Sequence, residues 1–584
     1  MKQWGIIGLL ALVACGPESS TGTSVQGQTC PGVVAGGMTA RQQLDDVMPS
    51  KAGTDGRVPV IIRFRSRGRT QATQVTASGA QLAASTGAKV SVVYRNIPAV
   101  AARVTPLERQ ALEENEWVES VEVDQVWTAQ ALTPGLLSPL PRQVMAATPG
   151  PLDEYTEGLR LVQAPEVWDA DGDGVLDAGA PTGEGVRVCV IDSGLDMGHP
   201  EFQGAVVGSR DFLDDDGDAS DRSPQGEWGQ GHGTHVAGII AARMGQGGVT
   251  GPRGYPGGMV GVAPRASLLI ARVLDLQGQT EMSVVLSAME WCESQGARIV
   301  SLSLGGGTPT RSTVDAFRAM LDHGLLVVAA AGNEGGPVMY PASDPSVLAV
   351  GAVDASERRA GFSSVGVELG LMAPGVDVLS TFPRGLGASA EMSVNDASPT
   401  SRSLLYSPTG DTAGKLLDCG LGDSLASCPG ATCDGFIAYV RPGALPVNQA
   451  MANVMMQGAR AVIFGANGGP AGATVDIFSL PRSGHWAPAV SVSQAASTVL
   501  QERLGANARL SLFPVDYTHV SGTSMAAPYV SGVAALLWSA RPELTPRQVR
   551  EAMESSARDL GTPGKDPVFG HGLVHARDAL LRLQ

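Results

Sequence analysis

The chain has 584 residues, so its length points to several structural units rather than one small module. Gly and Pro number 75 and 38 without a collagen-like period, and 43% of the residues are apolar, which excludes collagen and a wholly disordered chain. The net charge of −16 repels phosphate backbones and disfavours nucleic-acid binding. Seven cysteines are an odd number, which needs an explanation in an exported protein.

The beginning of the chain has the pattern of an export signal. Lys2 is followed by an uncharged stretch, 4–14, with the length of a signal-peptide core and too short to cross a bilayer. It ends in Leu-Val-Ala before Cys15 and so resembles a bacterial lipoprotein box, in which the cysteine is lipidated and becomes the mature N-terminus. We predict a lipoprotein signal peptide over 1–14 and a lipid anchor in the cell envelope, with an ordinary signal peptide as the alternative. Residues 15–57, rich in Gly, Ser and Thr, predict a flexible tether.

Residues 58–127 are predicted to fold as a compact α+β unit of ferredoxin-like type. The patterns follow the order βαββαβ, with strands at 58–64, 90–97, 99–104 and 118–126 and helices at 71–88 and after residue 105. The second helix has a capping box, with Thr105 as N-cap, Pro106 as first helical residue and Glu108 as third.

Two polar segments of this region are interpreted as solvent-exposed. Arginines at every second position are more typical of a solvated strand face than of a nucleic-acid patch; they are Arg63, Arg65, Arg67 and Arg69. Residues 128–155 contain five prolines and predict an exposed linker.

The second part of the chain predicts an α/β fold, a doubly wound parallel sheet. Nearly continuous apolar runs are typical of parallel strands buried on both faces, and they occur at 186–191, 267–274, 298–304, 325–331 and 347–353. Helical patterns at 280–294 and 311–323 alternate with them. The pattern pauses over 386–514 and resumes with a helix at 523–540. We therefore predict a small β-rich domain inserted between the two parts, 156–385 and 515–584, of one larger domain.

Three short segments carry the residue types of serine hydrolase chemistry. They are Asp192-Ser-Gly after a predicted strand, Gly-His232-Gly-Thr-His235, and Gly-Thr-Ser524-Met-Ala-Ala-Pro528 at a helix start. A serine hydroxyl needs an adjacent base, and imidazole can take and return its proton. A buried carboxylate orients the imidazole and stabilises its charged form. Asp, His and Ser in this chain order therefore predict a catalytic triad at the carboxyl ends of the strands.

Over residues 155–584 these motifs resemble the subtilisin-like serine proteases. The resemblance implies that Asp192, His232 and Ser524 form the triad and that Asn333, in Ala-Ala-Gly-Asn-Glu-Gly, donates to the oxyanion together with the Ser524 N–H. It also implies that two segments flank the substrate and pair with an extended peptide; they are Ser303, Leu304 and Gly305, and Ala330, Ala331 and Gly332.

The flanking units acquire roles by the same resemblance. Residues 58–127, above all 94–126, resemble the family's inhibitory propeptide, which caps the cleft and is removed in the linker. The insertion resembles a protease-associated (PA) domain at 435–443 and 458–463, whose role would be to screen or position substrates.

An acidic loop has the spacing of a calcium site. Asp169, Asp171, Asp173 and Asp177 stand at positions 1, 3, 5 and 9 of a calcium loop, but position 12 is Ala180 instead of Glu. We predict a structural Ca²⁺ site of reduced coordination, with a solvated acidic turn as the alternative, and no cofactor for catalysis. The acidic run 214–218 is interpreted as a loop without a metal.

His235 and the remaining cysteines are interpreted as structural. His235 lacks a supporting carboxylate and a third ligand, so H-x-x-H is not taken as a metal site. Cys189 and Cys292 are predicted to be buried core thiols, and two of the three cysteines in the insertion are expected to pair; these three are Cys419, Cys428 and Cys433.

These observations predict an exported, lipid-anchored serine endopeptidase made as a self-processing zymogen. Its partners would be peptide or protein substrates, its own propeptide as inhibitor and, through the lipid, a membrane; release after propeptide cleavage stays open. The alternatives are a non-catalytic surface binding protein that uses the inserted domain and a peptidase dedicated to one partner.

Overall fold

The computed structural model describes residues 30, 55–65, 72–129, 154–222, 231–247, 258–441, 443, 445–466, 480 and 485–583. The predicted signal peptide with Cys15, most of the tether, Arg67, Arg69 and most of the linker lie outside these residues. None of the helices within them is long and apolar enough to cross a membrane.

The N-terminal unit is an antiparallel sheet with two helices on one face. Its elements are β1 (Val58–Phe64), α1 (Ala72–Ser85), β2 (Lys89–Val93), β3 (Ala99–Val104), α2 (Pro106–Glu113) and β4 (Val118–Val123), with the sheet order β2-β3-β1-β4. The capping box at α2 forms as the sequence predicts, because the Thr105 side chain accepts from the Glu108 N–H and the Glu108 side chain accepts from the Thr105 N–H.

The second face of this sheet is covered by the rest of the protein, and the prediction for Arg63 is therefore wrong. Ile61 and Arg63 share this face, which packs against two helices of the following domain. Arg63 is only 2% exposed, and its Nη2 lies 2.6 Å from Asp315 Oδ2. A face that looks solvated from the strand period is thus an internal interface, whereas the neighbouring Arg65 is exposed.

The strand predicted over 118–126 is also divided in the structure. It ends at Val123, and a new strand, β5 (Val126–Ala129), leaves the N-terminal sheet and pairs within the next domain. Because of this change of partner, the first residues of the predicted linker belong to a strand.

The central domain contains the predicted parallel sheet. Its first elements are α3 (Glu157–Leu161), α4 (Pro165–Trp168), β6 (Arg187–Asp192), β7 (Val206–Asp211), α5 (His232–Ala241), β8 (Ser267–Arg272), β9 (Gln279–Glu281) and α6 (Met282–Ser294). They are followed by β10 (Ile299–Leu302), β11 (Leu304–Gly305), α7 (Arg311–Asp322), β12 (Leu326–Ala330), β13 (Val347–Val353), β14 (Leu369–Pro374) and β15 (Val378–Thr381). Seven strands form one parallel sheet in the order β14-β13-β12-β10-β6-β8-β7.

Both faces of this sheet are buried under helices, which explains the continuous apolar runs. Along β6, Val188 and Val190 pack on one side with α5 and a later long helix. Cys189 and Ile191 point to the other side, toward α6 and α7. The α/β fold class is therefore confirmed.

The insertion forms a second sheet. Its elements are β16 (Gly387–Val394), β17 (Ser401–Ser403), β18 (Gly410–Asp418), β19 (Phe436–Val440), α8 (Val447–Met456), β20 (Ala459–Phe464), β21 (Ala489–Val492), α9 (Gln494–Gln501) and β22 (Asn507–Val515), in the sheet order β16-β22-β18-β19-β20-β21-β17. The chain returns to the central domain through β23 (Tyr517–Val520), α10 (Thr523–Ala540), α11 (Pro546–Ser556) and α12 (Ala576–Leu581). Since β15 pairs with β23, the two ends of the insertion leave the central domain side by side.

The six cysteines among the described residues form three disulfide bonds, and the prediction of free thiols at Cys189 and Cys292 is wrong. These two residues are fully buried as expected, but β6 and α6 bring their Cα atoms to 5.9 Å, which is within bonding range. Two cysteines of the insertion, Cys419 and Cys428, pair with each other. The third, Cys433, pairs with Cys30, a residue of the predicted tether.

Candidate active site

The three predicted triad residues come from three elements that meet at the carboxyl edge of the parallel sheet. Asp192 is the last residue of β6, His232 is the first residue of α5, and Ser524 is the second residue of α10. The Nδ1 atom of His232 lies 2.8 Å from Oδ1 of Asp192, and the Ser193 N–H donates to the same oxygen at 2.7 Å. The carboxylate therefore holds the imidazole from one side.

The environment of His232 favours its charged form. Burial lowers the pKa of His232, but the charge of Asp192 and the hydrogen bond to it outweigh this, so that the pKa lies above its ordinary value of 6.5. In the neutral ring, an Nδ1–H that donates to Asp192 leaves Nε2 as the proton acceptor. This Nε2 has no hydrogen-bond partner among the described residues.

Ser524 is fixed by a reciprocal pair of bonds with Ser303. The Ser524 hydroxyl donates to the Ser303 carbonyl at 3.1 Å, and the Ser303 hydroxyl donates to the Ser524 carbonyl at 2.8 Å. Both residues are fully buried. Transfer of the Ser524 proton to His232 thus requires the first of these bonds to break.

Asn333 is oriented by the residue that precedes Ser524. Oδ1 of Asn333 accepts from the backbone N–H of Thr523 at 2.8 Å and from its hydroxyl at 2.9 Å. The same hydroxyl accepts from the Gly332 N–H at 3.2 Å. The acceptor side of the amide is therefore occupied, and its N–H donors point away from Thr523, as an oxyanion-binding role requires.

Thr523 is a further site residue that is not among the predicted ones. A short polar side chain at a helix start, next to the predicted nucleophile, was the available signal. The contact with Asn333 cannot be read from the sequence, because the two residues are 190 positions apart in the chain.

The cleft beside Ser524 is occupied by the chain's own strand β5. Antiparallel pairing joins Leu304 to Ala129 and Gly305 to Thr128 on one side, and Thr280 to Trp127 on the other, in the order β11-β5-β9. Leu304 and Gly305 thus pair with an extended segment of the chain itself. The second predicted substrate segment is 330–332, and its described backbone groups bond to other parts of the central domain. Ala331 bonds to Val350 and Met339, and Gly332 bonds to Thr523 and Ser364.

Trp127 anchors β5 in this cleft. Its side chain has no exposed surface, and its ring stacks on Phe317 at 6.4 Å and meets Tyr340 edge-on at 5.8 Å. A fully buried aromatic residue is typical of the centre of a specific interface.

Three of the four predicted calcium ligands form a cluster. One carboxylate oxygen each of Asp169, Asp171 and Asp173 lies within 4.8 Å of the others. Asp177 is not part of this cluster. Its Oδ2 accepts from the Ala170 N–H at 2.8 Å. Burial raises the pKa of Asp169, but the Tyr155 hydroxyl and backbone N–H donors outweigh this and hold the pKa below its usual range.

His235 is built into the core next to the site. Its Nε2 lies 3.1 Å from the Val378 carbonyl and 3.2 Å from the Thr518 carbonyl, so the ring carries its proton there. Burial lowers the pKa of His235 to about 3. His235 belongs to no cluster of three metal-ligating side chains in the described part of the chain.

Comparison with known protein families finds a match over much of the chain. The model of the subtilase family matches residues 183–427 and 492–572, together more than half of the chain. The gap between these two ranges lies inside the segment that forms the second sheet.

Curated relatives and solved structures agree with this match. The major intracellular serine protease of Bacillus subtilis (strain 168) is 36% identical over 239 residues, which are 40% of this chain and 68% of the relative. Subtilisin NAT of Bacillus subtilis subsp. natto is 43% identical over 209 residues, which are 35% of this chain but only 50% of that protein.

Among solved structures, the psychrophilic subtilisin-like protease Apa1 of the Antarctic psychrotroph Pseudoalteromonas sp. AS-11 is 30% identical with a TM-score of 0.51, covering 73% of this chain and 96% of Apa1. The match to fervidolysin of Fervidobacterium pennivorans covers 90% of this chain and 61% of fervidolysin, with 22% identity and a TM-score of 0.55. At this identity the match supports the fold alone. The chain therefore belongs to the subtilase family and is a subtilisin-like serine protease.

Proposed function

We propose that the protein is an exported serine endopeptidase in which Asp192, His232, Ser524 and Asn333 perform the chemistry. The observation that carries this proposal is the convergence of an Asp-paired imidazole with a free Nε2, a serine at a helix start and an oriented amide. In the reaction, the Ser524 hydroxyl attacks the peptide carbonyl while His232 Nε2 accepts its proton. Asn333 and the Ser524 N–H stabilise the negative oxygen, and His232 then returns the proton to the leaving amine.

Residues 58–127 act as an intramolecular inhibitor in this proposal. Strand β5 begins at Val126, at the end of this unit, and lies where an extended substrate would pair with Leu304 and Gly305. Leu304 is adjacent to Ser303, whose carbonyl is bonded to Ser524. The end of β5 is therefore presented close to the nucleophile, and self-cleavage in the segment 128–155 would break the peptide connection between inhibitor and protease.

Polar bonds support the docking of this inhibitory unit. The Arg95 and Asn96 N–H groups donate to Glu290 of α6 at 2.8 and 2.7 Å, and the Tyr94 hydroxyl donates to the Ser283 carbonyl at 3.1 Å. Arg63 adds its ion pair with Asp315 of α7. The unit thus binds the protease through β1 and the loop between β2 and β3, as well as through β5.

Export with a lipid at Cys15 completes the proposal. Three disulfide bonds are typical of proteins in oxidising compartments. With Cys15 assigned to lipid, the other six cysteines of the seven are all paired. The second sheet, 386–514, would act as a PA-like domain that positions substrates.

The acidic loop at Asp169 is proposed to bind Ca²⁺. Carboxylate oxygens are the ligands that Ca²⁺ prefers, and the cluster supplies three of them. Asp169, Asp171 and Asp173 would hold the ion, which would stabilise the entry into the central domain without taking part in the chemistry.

Replacement of the nucleophile tests the proposed activity. Wild-type protein is expected to shorten itself in the segment 128–155 and to hydrolyse members of a diverse peptide library, whereas Ser524→Ala should do neither. Ser531→Ala removes another buried hydroxyl of α10 and should keep both activities. Wild-type protein that neither shortens itself nor cleaves any peptide would favour the alternative of a non-catalytic surface binding protein.

A further inference from the structure

The disulfide Cys30–Cys433 crosses the segment in which the chain is proposed to cut itself. Cys30 lies before the N-terminal unit, and Cys433 lies in the loop that precedes β19, 403 residues further along the chain. The other two disulfides, Cys189–Cys292 and Cys419–Cys428, lie entirely after the segment 128–155. A cut in this segment therefore leaves its two products covalently joined through Cys30.

The residue at position 30 is seated in the inserted domain. The Cys30 N–H donates to the Met456 carbonyl at the end of α8 at 2.9 Å, and Cys30 is only 8% exposed. A Cβ added at Gly458 would lie 3.2 Å from the Cys30 sulfur and 2.6 Å from the Thr432 carbonyl, so the absence of a side chain at 458 gives the sulfur its place. The bond is thus supported by backbone and packing contacts on the inserted domain.

This connection has a consequence for inhibition. While residues 58–127 stay attached through Cys30, they remain close to the cleft at an effective concentration of about millimolar, typical of short linkers. A single cut therefore does not free the cleft. A second cut between Cys30 and Val58 removes the inhibitor but leaves the short segment 15–30 bonded to Cys433.

We propose that Cys30–Cys433 holds the N-terminal segment, together with the lipid at Cys15, on the mature protease, so that removal of the inhibitor does not release the enzyme from the membrane. This inference rests on the proposed self-processing and lipidation. It assigns to the inserted domain a role as the attachment point of the anchor.

The covalent connection is tested in a protein that cannot cut itself. A recognition sequence for a site-specific protease is placed between residues 140 and 150 of the full-length Ser524→Ala variant, free thiols are blocked with iodoacetamide, and the chain is cut after denaturation. Without thiols the products should migrate as one species, and with dithiothreitol as two. Separation of the products without thiols would overturn the inference and would leave the proposed catalytic function untouched.

The anchor is tested in the active, full-length protein in membranes, by immunoblotting against the C-terminal part. The mature protease is expected in the pellet without thiols and to shift to the supernatant with dithiothreitol, which can reach the bond because Cys433 is exposed. The Cys30→Ser/Cys433→Ser variant should be released when it matures, and its uncut Ser524→Ala form should stay in the pellet.

Two controls separate the outcomes. The Cys419→Ser/Cys428→Ser variant lacks a disulfide of the same domain and should stay in the pellet, whereas Cys15→Ser should be soluble from the start. Mature wild-type protease in the supernatant without thiols would contradict the anchor. Absence of any maturation would contradict the proposed self-processing instead, while the cut in the denatured Ser524→Ala chain still reports on the disulfide.

Discussion

Nδ1 of His232 lies 2.8 Å from Oδ1 of Asp192, and the charge of this carboxylate raises the pKa of His232 above its ordinary value although the ring is buried. The base of the proposed reaction is therefore oriented and made more basic by the same neighbour. Only neutral His232 can accept the Ser524 proton. The pKa of His232 therefore determines the pH below which activity is lost.

Activity should fall as the pH decreases through the pKa of His232. Since this pKa is raised, we expect the acidic limb of kcat/KM to have its midpoint above pH 6.5, the ordinary value. Asp192→Asn should move the midpoint to lower pH and reduce kcat by about 10⁴, as expected when the imidazole loses its orienting carboxylate. His323→Gln changes a half-exposed histidine at the end of α7 and should leave the profile unchanged. A wild-type midpoint at or below pH 6.5 would count against this assignment.

The orientation of Asn333 predicts a graded series of losses in kcat. Asn333→Leu should reduce kcat by about 10² to 10³ with little change in KM, because an oxyanion donor acts in the transition state. Thr523→Val removes both bonds of the hydroxyl, the one to Asn333 and the one from the Gly332 N–H. Loss of the bond to Asn333, worth about 0.5–1.5 kcal/mol, should lower kcat by up to about tenfold. Thr523→Ser keeps the hydroxyl and is the control. The three variants are compared by steady-state kinetics on one peptide. Equal kcat values for Thr523→Ser and Thr523→Val would contradict this account.

The ion pair between Arg63 and Asp315 is expected to strengthen the docking of the N-terminal unit on the central domain. Arg63→Met in the uncut Ser524→Ala protein should weaken docking by about 1.5–3 kcal/mol, the range for hydrogen bonds to charged groups. Faster amide hydrogen exchange in β1 and β3 would report this. Arg65→Met removes an exposed arginine two residues away and should have no effect. Equal exchange in the two variants would show that Arg63 contributes nothing to docking.

Calcium should stabilise the protein through the Asp169 loop. At a Ca²⁺ concentration 100 times the dissociation constant, stability should rise by about 2.7 kcal/mol, and the melting temperature should therefore fall when a chelator is added. Asp171→Asn should weaken this response, whereas Asp216→Asn in the acidic loop 214–218 should not. Calorimetry with chelator and with Ca²⁺ decides between a metal site and a solvated turn, and equal melting temperatures would establish the turn.

Local sequence was sufficient for elements whose burial does not depend on distant partners. The parallel strands of the central sheet, the capping box at Thr105 and the helix at 523–540 appear as predicted, because apolar periodicity and end-capping act within a few residues. The chain order of Asp192, His232 and Ser524 indicated a serine hydrolase for a similar reason. Each motif needs only its own strand end or helix start to place its side chain.

The sequence could not show which surfaces face each other. Arg63 has the strand period of a solvated face, but α7 covers it, and the Cys189–Cys292 bond depends on how α6 packs against β6. The contact between Asn333 and Thr523 and the bond between Cys30 and Cys433 likewise join residues that are far apart in the chain. Length, composition and charge thus indicated a globular, acidic protein of several structural units. The short motifs in the sequence indicated a serine protease. Only the tertiary structure decided that β5 fills the cleft and that the tether is bonded to the inserted domain, because such pairings depend on three-dimensional proximity rather than on local pattern.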